Sequence, residues 1–362
     1  MEINNSSFWN GKRVFITGHT GFKGTWLCKI LINAGAEVTG YALEPSTNPS
    51  LFSLCGVADE INSVIGDIRD FNNLKVAFDE CNPDVVFHLA AQPIVRVSYD
   101  DPLDTYSTNV MGTANLLECI RLADKKPQSV VNITTDKVYL NNEWEWGYRE
   151  NDRLCGYDPY SNSKSCSELV TYSYIKSFFN DLAVPVSTMR AGNVIGGGDF
   201  QKDRIVPDCI RAMGNHEKII VRNPNSTRPY QHVLEPLFAY MLVAEKQYGN
   251  MELAGCYNIG PDECDCITTG ELATIFCEKW GKGVEWEAIQ KDGPHEANFL
   301  KLDCSKVKKV FGWRPTWHVE EAINKSVEWA KVYFAKGDVS MAIDEQIEHF
   351  LEDSGREYDD TI

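Results

Sequence analysis

A tyrosine and a lysine four residues apart, Tyr160 and Lys164, are the first pair in this sequence whose types and spacing suit chemistry. On a helix, positions i and i+4 lie on one face. A lysine there stabilises a phenolate and lowers the pKa of the tyrosine from its reference of about 10. Tyr160 is therefore predicted to remove a hydroxyl proton while hydride leaves the same carbon.

The YxxxK motif is common by chance and gains weight from a second polar segment. Thr134, Thr135 and Asp136 lie at the end of the stretch 129–134, which predicts a strand. The carboxyl edge of a parallel sheet is where ligands bind. We therefore expect Asp136 and the adjoining Lys137 to belong to a site rather than to a surface turn.

A glycine-rich loop after the first predicted strand indicates a dinucleotide-binding turn. Its glycines have GxxGxxG spacing and open the first predicted helix. Such glycines permit a tight turn, a close approach to a pyrophosphate and close helix packing, with the helix N-terminus facing the phosphates. The predicted cofactor contacts in the loop are Gly18, Thr20, Gly21, Phe22, Lys23 and Gly24.

The second predicted strand is followed by Glu44, which either contacts a ribose hydroxyl or is simply exposed. No arginine lies there to meet a 2′-phosphate, which favours NAD over NADP. Asp67 and Ile68 are expected to cover the adenine edge, and small side chains after the fourth strand allow a close approach to the cofactor ribose. The remaining predicted cofactor contacts are Leu89, Ala90, Ala91, Gln92, Asn109, Tyr160 and Lys164.

The elements that must position these residues alternate between short apolar runs and helical patterns. This alternation predicts an α/β fold, a Rossmann-type doubly wound parallel sheet of about seven strands. We expect a NAD-binding domain over 1–190, with segments near 230–262 returning to it. Residues 191–362 are predicted to form mainly a smaller, mixed C-terminal substrate-binding domain, and the acidic tail 338–360 a solvated helix with a frayed end.

Composition excludes several classes of protein. The 362 residues are 43% hydrophobic and 24% charged, as in globular chains. A formal net charge of -17 argues against a nucleic-acid-binding surface. We find neither a membrane-length apolar run nor a signal peptide, so a cytoplasmic location is expected. The twelve cysteines are expected to be reduced and mostly buried, and Cys264 and Cys266 are too close for a zinc knuckle, so no metal is predicted.

Taken together, these residues resemble the extended short-chain dehydrogenase/reductase family over nearly the whole chain. Thr135, Asp136 and Lys137 resemble the signature of the sugar-nucleotide 4,6-dehydratases, in which the third residue is usually Glu. The lysine is similar to that of the CDP-glucose 4,6-dehydratases. Further segments that share this resemblance are 18–27 (GHTGFKGTWL), 143–150 (EWEWGYRE), 158–160 (DPY), 190–199 (RAGNVIGGGD) and 228–233 (RPYQHV).

The resemblance implies that CDP-glucose is the substrate and that bound NAD is reduced and reoxidised in each turnover. It implies that Tyr160 takes the C4 hydroxyl proton, Thr135 contacts the C4 oxygen, and Asp136 protonates the leaving C6 hydroxyl. Lys137 is either the base at C5, which requires its neutral form, or a charged group that stabilises the enolate. The residues expected to contact the substrate are Thr135, Asn193, Arg204, Arg228 and His295.

The resemblance also implies a homodimer or homotetramer, for which 109–123 and 164–180 are the candidate interface helices, and a step toward deoxysugars of surface polysaccharide. Two other functions remain open. A nucleotide-sugar 4-epimerase needs the Tyr and Lys but no acid and base at C5 and C6, so Asp136 and Lys137 argue against it. A non-catalytic dinucleotide-binding regulator would be expected to lack Tyr160 or Lys164, and both are present.

Overall fold

The computed structural model describes residues 8–289 and 299–355. The strands are, in chain order, β1 Arg13–Thr17, β2 Glu37–Ala42, β3 Asn62–Ile65, β4 Val85–His88, β5 Ser129–Ile133, β6 Val186–Ala191, β7 Val194–Ile195, β8 Ile219–Val221, β9 Thr227–Pro229, β10 Gln231–His232, β11 Cys256–Ile259, β12 Cys266–Thr268 and β13 Trp286–Ala288. The helices are α1 Phe22–Asn33, α2 Leu51–Leu54, α3 Phe71–Cys81, α4 Val95–Asp100, α5 Pro102–Tyr106, α6 Gly112–Leu122, α7 Pro159–Tyr174, α8 Asn180–Leu182, α9 Ile205–Asn215, α10 Leu234–Lys246, α11 Thr269–Trp280, α12 Ser305–Phe311, α13 Val319–Phe334 and α14 Val339–Asp353.

Seven strands form one sheet in the order β11-β6-β5-β4-β1-β2-β3. Every neighbouring pair in this sheet is parallel. The order reverses between β1 and β4, and in such a sheet ligands bind outside the carboxyl ends of the strands at that switch point. The predicted doubly wound sheet is confirmed, and β11 forms one of its edges.

Apolar side chains cover both faces of this sheet, as continuous apolar strands require. One large cluster of buried residues contains Trp26, Leu237 and Trp329, and a second contains Phe15 and Leu117. The chain after β6 also forms three two-stranded pairs, β10-β7, β12-β9 and β13-β8. These pairs agree with a mixed C-terminal region, and the exact division of the chain into two domains stays a prediction.

The expectation of a solvated helix in the acidic tail is wrong for α14. This helix buries Ile343, Ile347 and Phe350 on one side, and the Phe350 ring stacks on Phe238 with 5.0 Å between centroids. Its exposed side is mostly polar and acidic, so the acidic composition concealed an amphipathic pattern. The helix closes the large core rather than standing free in solvent.

All twelve cysteines carry free thiols, and most are buried, as expected. Cys264 is an exposed exception. Within 8–289 and 299–355, the structure contains no helix with both the length and the apolarity required to cross a membrane.

Candidate active site

The glycine loop lies at the end of β1 and leads into α1. Gly18 has a φ of +81°, and a Cβ there would lie 2.7 Å from the backbone nitrogen of Ala90. A Cβ on Gly24 would lie 2.1 Å from the carbonyl oxygen of Gly18. Gly21 caps α1 without a side-chain hydrogen bond, and the first turn carries no acidic residue. Bare backbone N–H groups at a helix N-terminus suit a phosphate.

The outer part of the loop is fixed against β2. Thr20 Oγ1 donates to the carbonyl oxygen of Leu43 at 2.8 Å, so this hydroxyl shapes the loop. The His19 ring packs over Gly40, where a Cβ would come within 2.2 Å of it. Burial lowers the pKa of His19 to about 4. Glu44 is exposed just beyond β2, and its contact with a ribose stays a prediction.

The predicted adenine side of the site is built from Asp67 and Ile68. Arg69 forms an ion pair with Asp67 at 2.6 Å, and this hydrogen-bonded guanidinium lowers the pKa of the carboxyl. Ile68 is buried beneath α6, where a Cβ on Gly112 would come within 2.6 Å of it. Their contact with adenine stays a prediction.

The segment after β4 holds the next predicted contacts at the sheet edge. Leu89, Ala90, Ala91 and Gln92 are all partly buried. Asn109 is buried and ties this segment to α7, because its Oδ1 accepts from the Gln92 backbone N–H at 2.8 Å and its Nδ2 donates to Ser163 Oγ at 2.8 Å. Asn109 therefore positions the 89–92 segment, a role that its place in the sequence did not show.

The carboxyl end of β5 carries the predicted acid and base. Thr135 Oγ1 donates to Asp136 Oδ1 at 3.0 Å, and Asp136 is fully buried. Lys137 Nζ lies 3.5 Å from Asp136 Oδ1 and donates to Asn193 Oδ1 at 3.4 Å. Asp136 Oδ2 has no hydrogen-bond partner among the described residues, and it faces Gly192, where a Cβ would lie 3.3 Å away.

Helix α7 presents Tyr160 and Lys164 to this cluster. The helix begins at Pro159, and Asp158 caps it by accepting from the Ser161 backbone N–H at 2.9 Å. Burial raises the pKa of Tyr160 to about 12, against a side-chain hydrogen bond from Thr135 that lowers it. The expected lowering of this pKa by Lys164 is therefore wrong. Lys164 Nζ donates instead to the carbonyl oxygen of Ile133 at 3.2 Å, and burial lowers its pKa to about 8.

A buried ion pair that the sequence analysis missed holds α7 against the sheet. Glu168 accepts from Arg190 Nε at 2.8 Å, from Thr134 Oγ1 at 2.6 Å and from Thr188 Oγ1 at 2.7 Å. Both charged side chains are 2% exposed. Glu168 lies four residues after Lys164, and this spacing was the available signal. A fully hydrogen-bonded pair of this kind fixes the distance between the helix and the end of β5.

Lys23 and Arg204 bring two further cations to the same site. Burial, with Lys164 and Arg204 as neighbours, lowers the pKa of Lys23 to about 7, against the influence of Asp136. The Lys23 ammonium lies 6.0 Å from the centre of the Tyr240 ring. Arg204 Nη1 donates to Asp199 Oδ2 at 2.8 Å, and its charge also acts on Tyr160. Lys23 was predicted to approach a phosphate, but its proximity to Asp136 was not foreseen.

The remaining predicted substrate contacts are Asn193, Arg228 and His295. Asn193 contacts Lys137, as described above. Arg228 is buried on β9 and donates to the carbonyl oxygen of Thr227 at 2.9 Å. His295 lies outside the described residues. The roles of Asn193, Arg204, Arg228 and His295 in binding stay predictions.

Comparison with known sequences identifies the family to which the chain is similar. Residues 15–326 match the family model described as GDP-mannose 4,6 dehydratase. The chain is 47% identical to the CDP-glucose 4,6-dehydratase of Salmonella typhimurium over 351 residues, which cover 95% of this chain and 98% of that protein. It is 26% identical to the dTDP-glucose 4,6-dehydratase of Shigella flexneri over 336 residues, covering 88% and 92% of the two chains.

Solved structures show the same fold. The UDP-glucuronic acid 4-epimerase of Bacillus cereus, in complex with UDP-glucuronic acid and NAD, aligns with a TM-score of 0.76 at 22% identity, over 88% of this chain and 99% of that one. The UDP-glucose 4-epimerase of Thermotoga maritima, with UDP-glucose, gives 0.77 at 22% identity, over 89% and 98%. At this identity the likeness concerns architecture.

Proposed function

The chain belongs to the GDP-mannose 4,6-dehydratase family, and on that premise we propose that it converts CDP-D-glucose to CDP-4-keto-6-deoxy-D-glucose and water. The observation that carries the proposal is the meeting of Thr135, Asp136 and Lys137 with Tyr160 at one end of the sheet. The CDP-glucose assignment rests on the relative that is 47% identical along almost the full chain. Lys137, in place of the usual Glu, supports it.

The glycine loop fits NAD. The positions of Gly18 and Gly24 leave no room for a Cβ, and the uncapped start of α1 offers backbone donors to a diphosphate. Residues 18–24, 67–68 and 89–92 would hold the cofactor, together with Asn109, Tyr160 and Lys164. When bound, NAD supplies the acceptor for the C4 hydride and the donor of the same hydride to C6.

The proton of the C4 hydroxyl leaves through Tyr160. A phenol with a pKa of about 12 is not ionised near neutral pH, but it can accept one proton while passing on its own. The Thr135 hydroxyl donates to Asp136 Oδ1 at 3.0 Å, and it also lowers the pKa of Tyr160. We propose that the proton moves from Tyr160 through Thr135 to Asp136. Oxidation at C4 thereby prepares the acid that the next step needs.

The elimination then uses Asp136 and Lys137. The C5 proton is acidic beside the new C4 ketone, and we propose that neutral Lys137 removes it while protonated Asp136 gives its proton to the C6 hydroxyl, which leaves as water. Lys137 later returns its proton to C5. Over one turnover the proton of the C4 hydroxyl becomes part of the eliminated water molecule, so no external proton donor is needed. A charged Lys137 that only stabilises the enolate is the alternative, and its ion pair with Asp136 supports that role.

We further propose that Lys23, Asn193, Arg204, Arg228 and His295 contact the nucleotide sugar or a diphosphate, since guanidinium and ammonium groups bind phosphate. The finer assignments are also proposals: a homodimer or homotetramer built on α6 and α7, a cytoplasmic location, and a place in deoxysugar synthesis for the O-antigen of lipopolysaccharide. Exposed apolar residues on these helices, Leu122, Leu169 and Tyr172, support the interface.

Incubation of the purified protein with CDP-, dTDP-, UDP- and GDP-hexoses plus NAD tests the proposal by mass spectrometry. Loss of one water from CDP-glucose alone, with no net accumulation of reduced cofactor, is the expected result. Loss of water from another nucleotide sugar would retain the mechanism and remove the cytidine assignment. A C4 epimer of unchanged mass would instead favour the 4-epimerase function, for which Asp136 and Lys137 have no role.

A further inference from the structure

A cluster of three metal-ligating side chains contains none of the residues assigned to the reaction. Cys264 and Asp265 belong to a short turn between β11 and β12, and His318 immediately precedes α13, 54 residues after Cys264. The His318 Nδ1 lies 2.9 Å from Asp265 Oδ2 and 4.0 Å from Cys264 Sγ. Cys264 Sγ lies 3.7 Å from Asp265 Oδ2. One sulfur, one nitrogen and one oxygen therefore converge from two elements of the fold.

These separations suit a tetrahedral ion. Zinc binds sulfur at about 2.3 Å and nitrogen or oxygen at about 2.0–2.2 Å, which places neighbouring ligand atoms roughly 3.3–3.7 Å apart. The three observed distances of 2.9, 3.7 and 4.0 Å bracket that range. Cys264 and His318 are exposed, so an ion can enter and water can take a fourth position.

The surroundings orient the ligands and favour a cation. Asp265 is 3% exposed, and its Oδ1 accepts from the Val319 backbone N–H at 2.9 Å, which aims Oδ2 at the other two ligands. Such outer hydrogen bonds fix metal ligands in place. The carboxylates of Asp262 and Glu235 also act on the His318 ring and make its environment negative.

We propose that Cys264, Asp265 and His318 bind one Zn²⁺ per chain, with water as the fourth ligand. The bond between sulfur and zinc forms as the Cys264 thiol gives its proton to the buffer, and no oxidation is involved. The ion joins the turn after β11 to the start of α13 and so stabilises the folded chain, since a ligand that binds the folded state raises its stability. The sequence did not reveal the site, because His318 lies 54 residues after Cys264 and only the fold brings the two side chains together.

Titration of the reduced, full-length protein with Co²⁺ and Zn²⁺ tests the site. Cobalt is expected to give a thiolate charge-transfer band that one equivalent of Zn²⁺ abolishes. Cys264→Ser should lose the band and weaken Zn²⁺ binding more than about 100-fold, since loss of an outer partner alone costs about 10–100-fold. The matched control is Cys266→Ser at the start of β12, because the Cys266 sulfur faces the Asp262 carbonyl oxygen at 3.9 Å and its loss should not affect binding.

A second measurement uses the unmodified chain. Zn²⁺ should slow alkylation of Cys264 by iodoacetamide, followed by peptide mass spectrometry, and should raise the thermal unfolding midpoint of the wild type but not of Cys264→Ser. The site would be overturned by absence of the cobalt band at saturating Co²⁺, by unchanged Zn²⁺ affinity in Cys264→Ser, or by an equal loss in Cys266→Ser. Because these measurements need neither NAD nor a nucleotide sugar, their outcome is independent of the proposed reaction.

Discussion

Replacement of Thr135 by valine tests the proposed path of the proton. Valine has nearly the shape of threonine but no hydroxyl, and residue 135 is 6% exposed, so little space opens for water. The change removes the hydroxyl that donates to Asp136 Oδ1 and that lowers the pKa of Tyr160. Tyr160 could then no longer pass its proton to Asp136, and the acid at C6 would have to be protonated from solvent.

The size of the effect follows from these contacts. A positioned proton-transfer group contributes about 10²–10⁴-fold to rate, so kcat of Thr135→Val should fall by about that factor. Thr135→Ser is the matched control, because it keeps the hydroxyl and loses one buried methyl group. A methyl is worth about 1 kcal/mol, so kcat of the serine variant should stay within about tenfold of wild type.

Solvent isotope effects separate a relay from a purely structural role. If several protons move together through Tyr160 and Thr135, a plot of kcat against the deuterium fraction of the solvent should curve in the wild type. The curvature should persist in Thr135→Ser and vanish in Thr135→Val. Loss of the Thr135 hydrogen bond should also raise the pKa of Tyr160 further, which moves the basic limb of the pH–rate profile to higher pH.

Fold integrity must be measured beside the rate. A hydrogen bond to a charged group is worth about 1.5–3 kcal/mol, so the valine variant should lose no more than that in free energy of unfolding. Thr135→Val that is folded and turns over within about fivefold of wild type would refute the relay. Equal losses in the valine and serine variants would show that the methyl group, and not the hydroxyl, matters.

Four other changes test the site. Tyr160→Phe should abolish hydride transfer while NAD still binds, measured by single-turnover absorbance and calorimetry; retained turnover would exclude Tyr160 as the first proton acceptor. Lys137→Ala should block elimination but leave some C4 oxidation, and C5 deuterium exchange that persists in it would place the base elsewhere. Asp136→Asn should slow loss of water more than C5 exchange, and equal slowing of both would argue against an acid confined to C6. Lys23→Met should be more stable than wild type at pH 7 and below, because the folded-state pKa of about 7 lies beneath the unfolded value of 10.5 and the wild type therefore loses stability as pH falls from 10.5 to 7. This stability difference, measured by denaturant unfolding, should shrink between pH 7 and 10.5, and a constant difference would contradict the assigned burial of the ammonium group.

The ends of a helix could be predicted from the sequence where capping residues and a terminal glycine mark them. The sequence pattern predicts a helix over 269–280, and α11 has these ends because Thr268 and Glu271 form a capping box and Gly281 follows its last residue. Helix α1 begins at Phe22, three residues before the apolar periodicity starts, because Gly21 ends the loop without a capping side chain. Periodicity detects the buried face of a helix but not a first turn that faces a ligand.

Properties that depend on burial could not be obtained from the sequence. The i, i+4 spacing placed Lys164 on the face of Tyr160, yet the carbonyl oxygen of Ile133 takes its ammonium, and burial of the phenol outweighs its charge. Glu168 has the same spacing from Lys164, but only the parallel neighbour β6 brings Arg190 to it. Charge-pair distances in a parallel sheet depend on strand order, which motif spacing does not contain.

The arrangement of charges explains why an acidic protein can hold a doubly charged nucleotide. The chain has a net charge of -17, which repels anions at long range. At the site, the positive charges of Lys164 and Arg204 act on Lys23, against the negative charge of Asp136. Glu168 acts on Lys164, and Asp199 pairs with Arg204. Burial lowers the pKa of Lys23, and the neighbouring charges of Lys164 and Arg204 lower it further. A diphosphate beside Lys23 would place negative charge next to the buried ammonium group. This charge would offset the free-energy cost of burying the ammonium group and would thereby favour binding of the nucleotide.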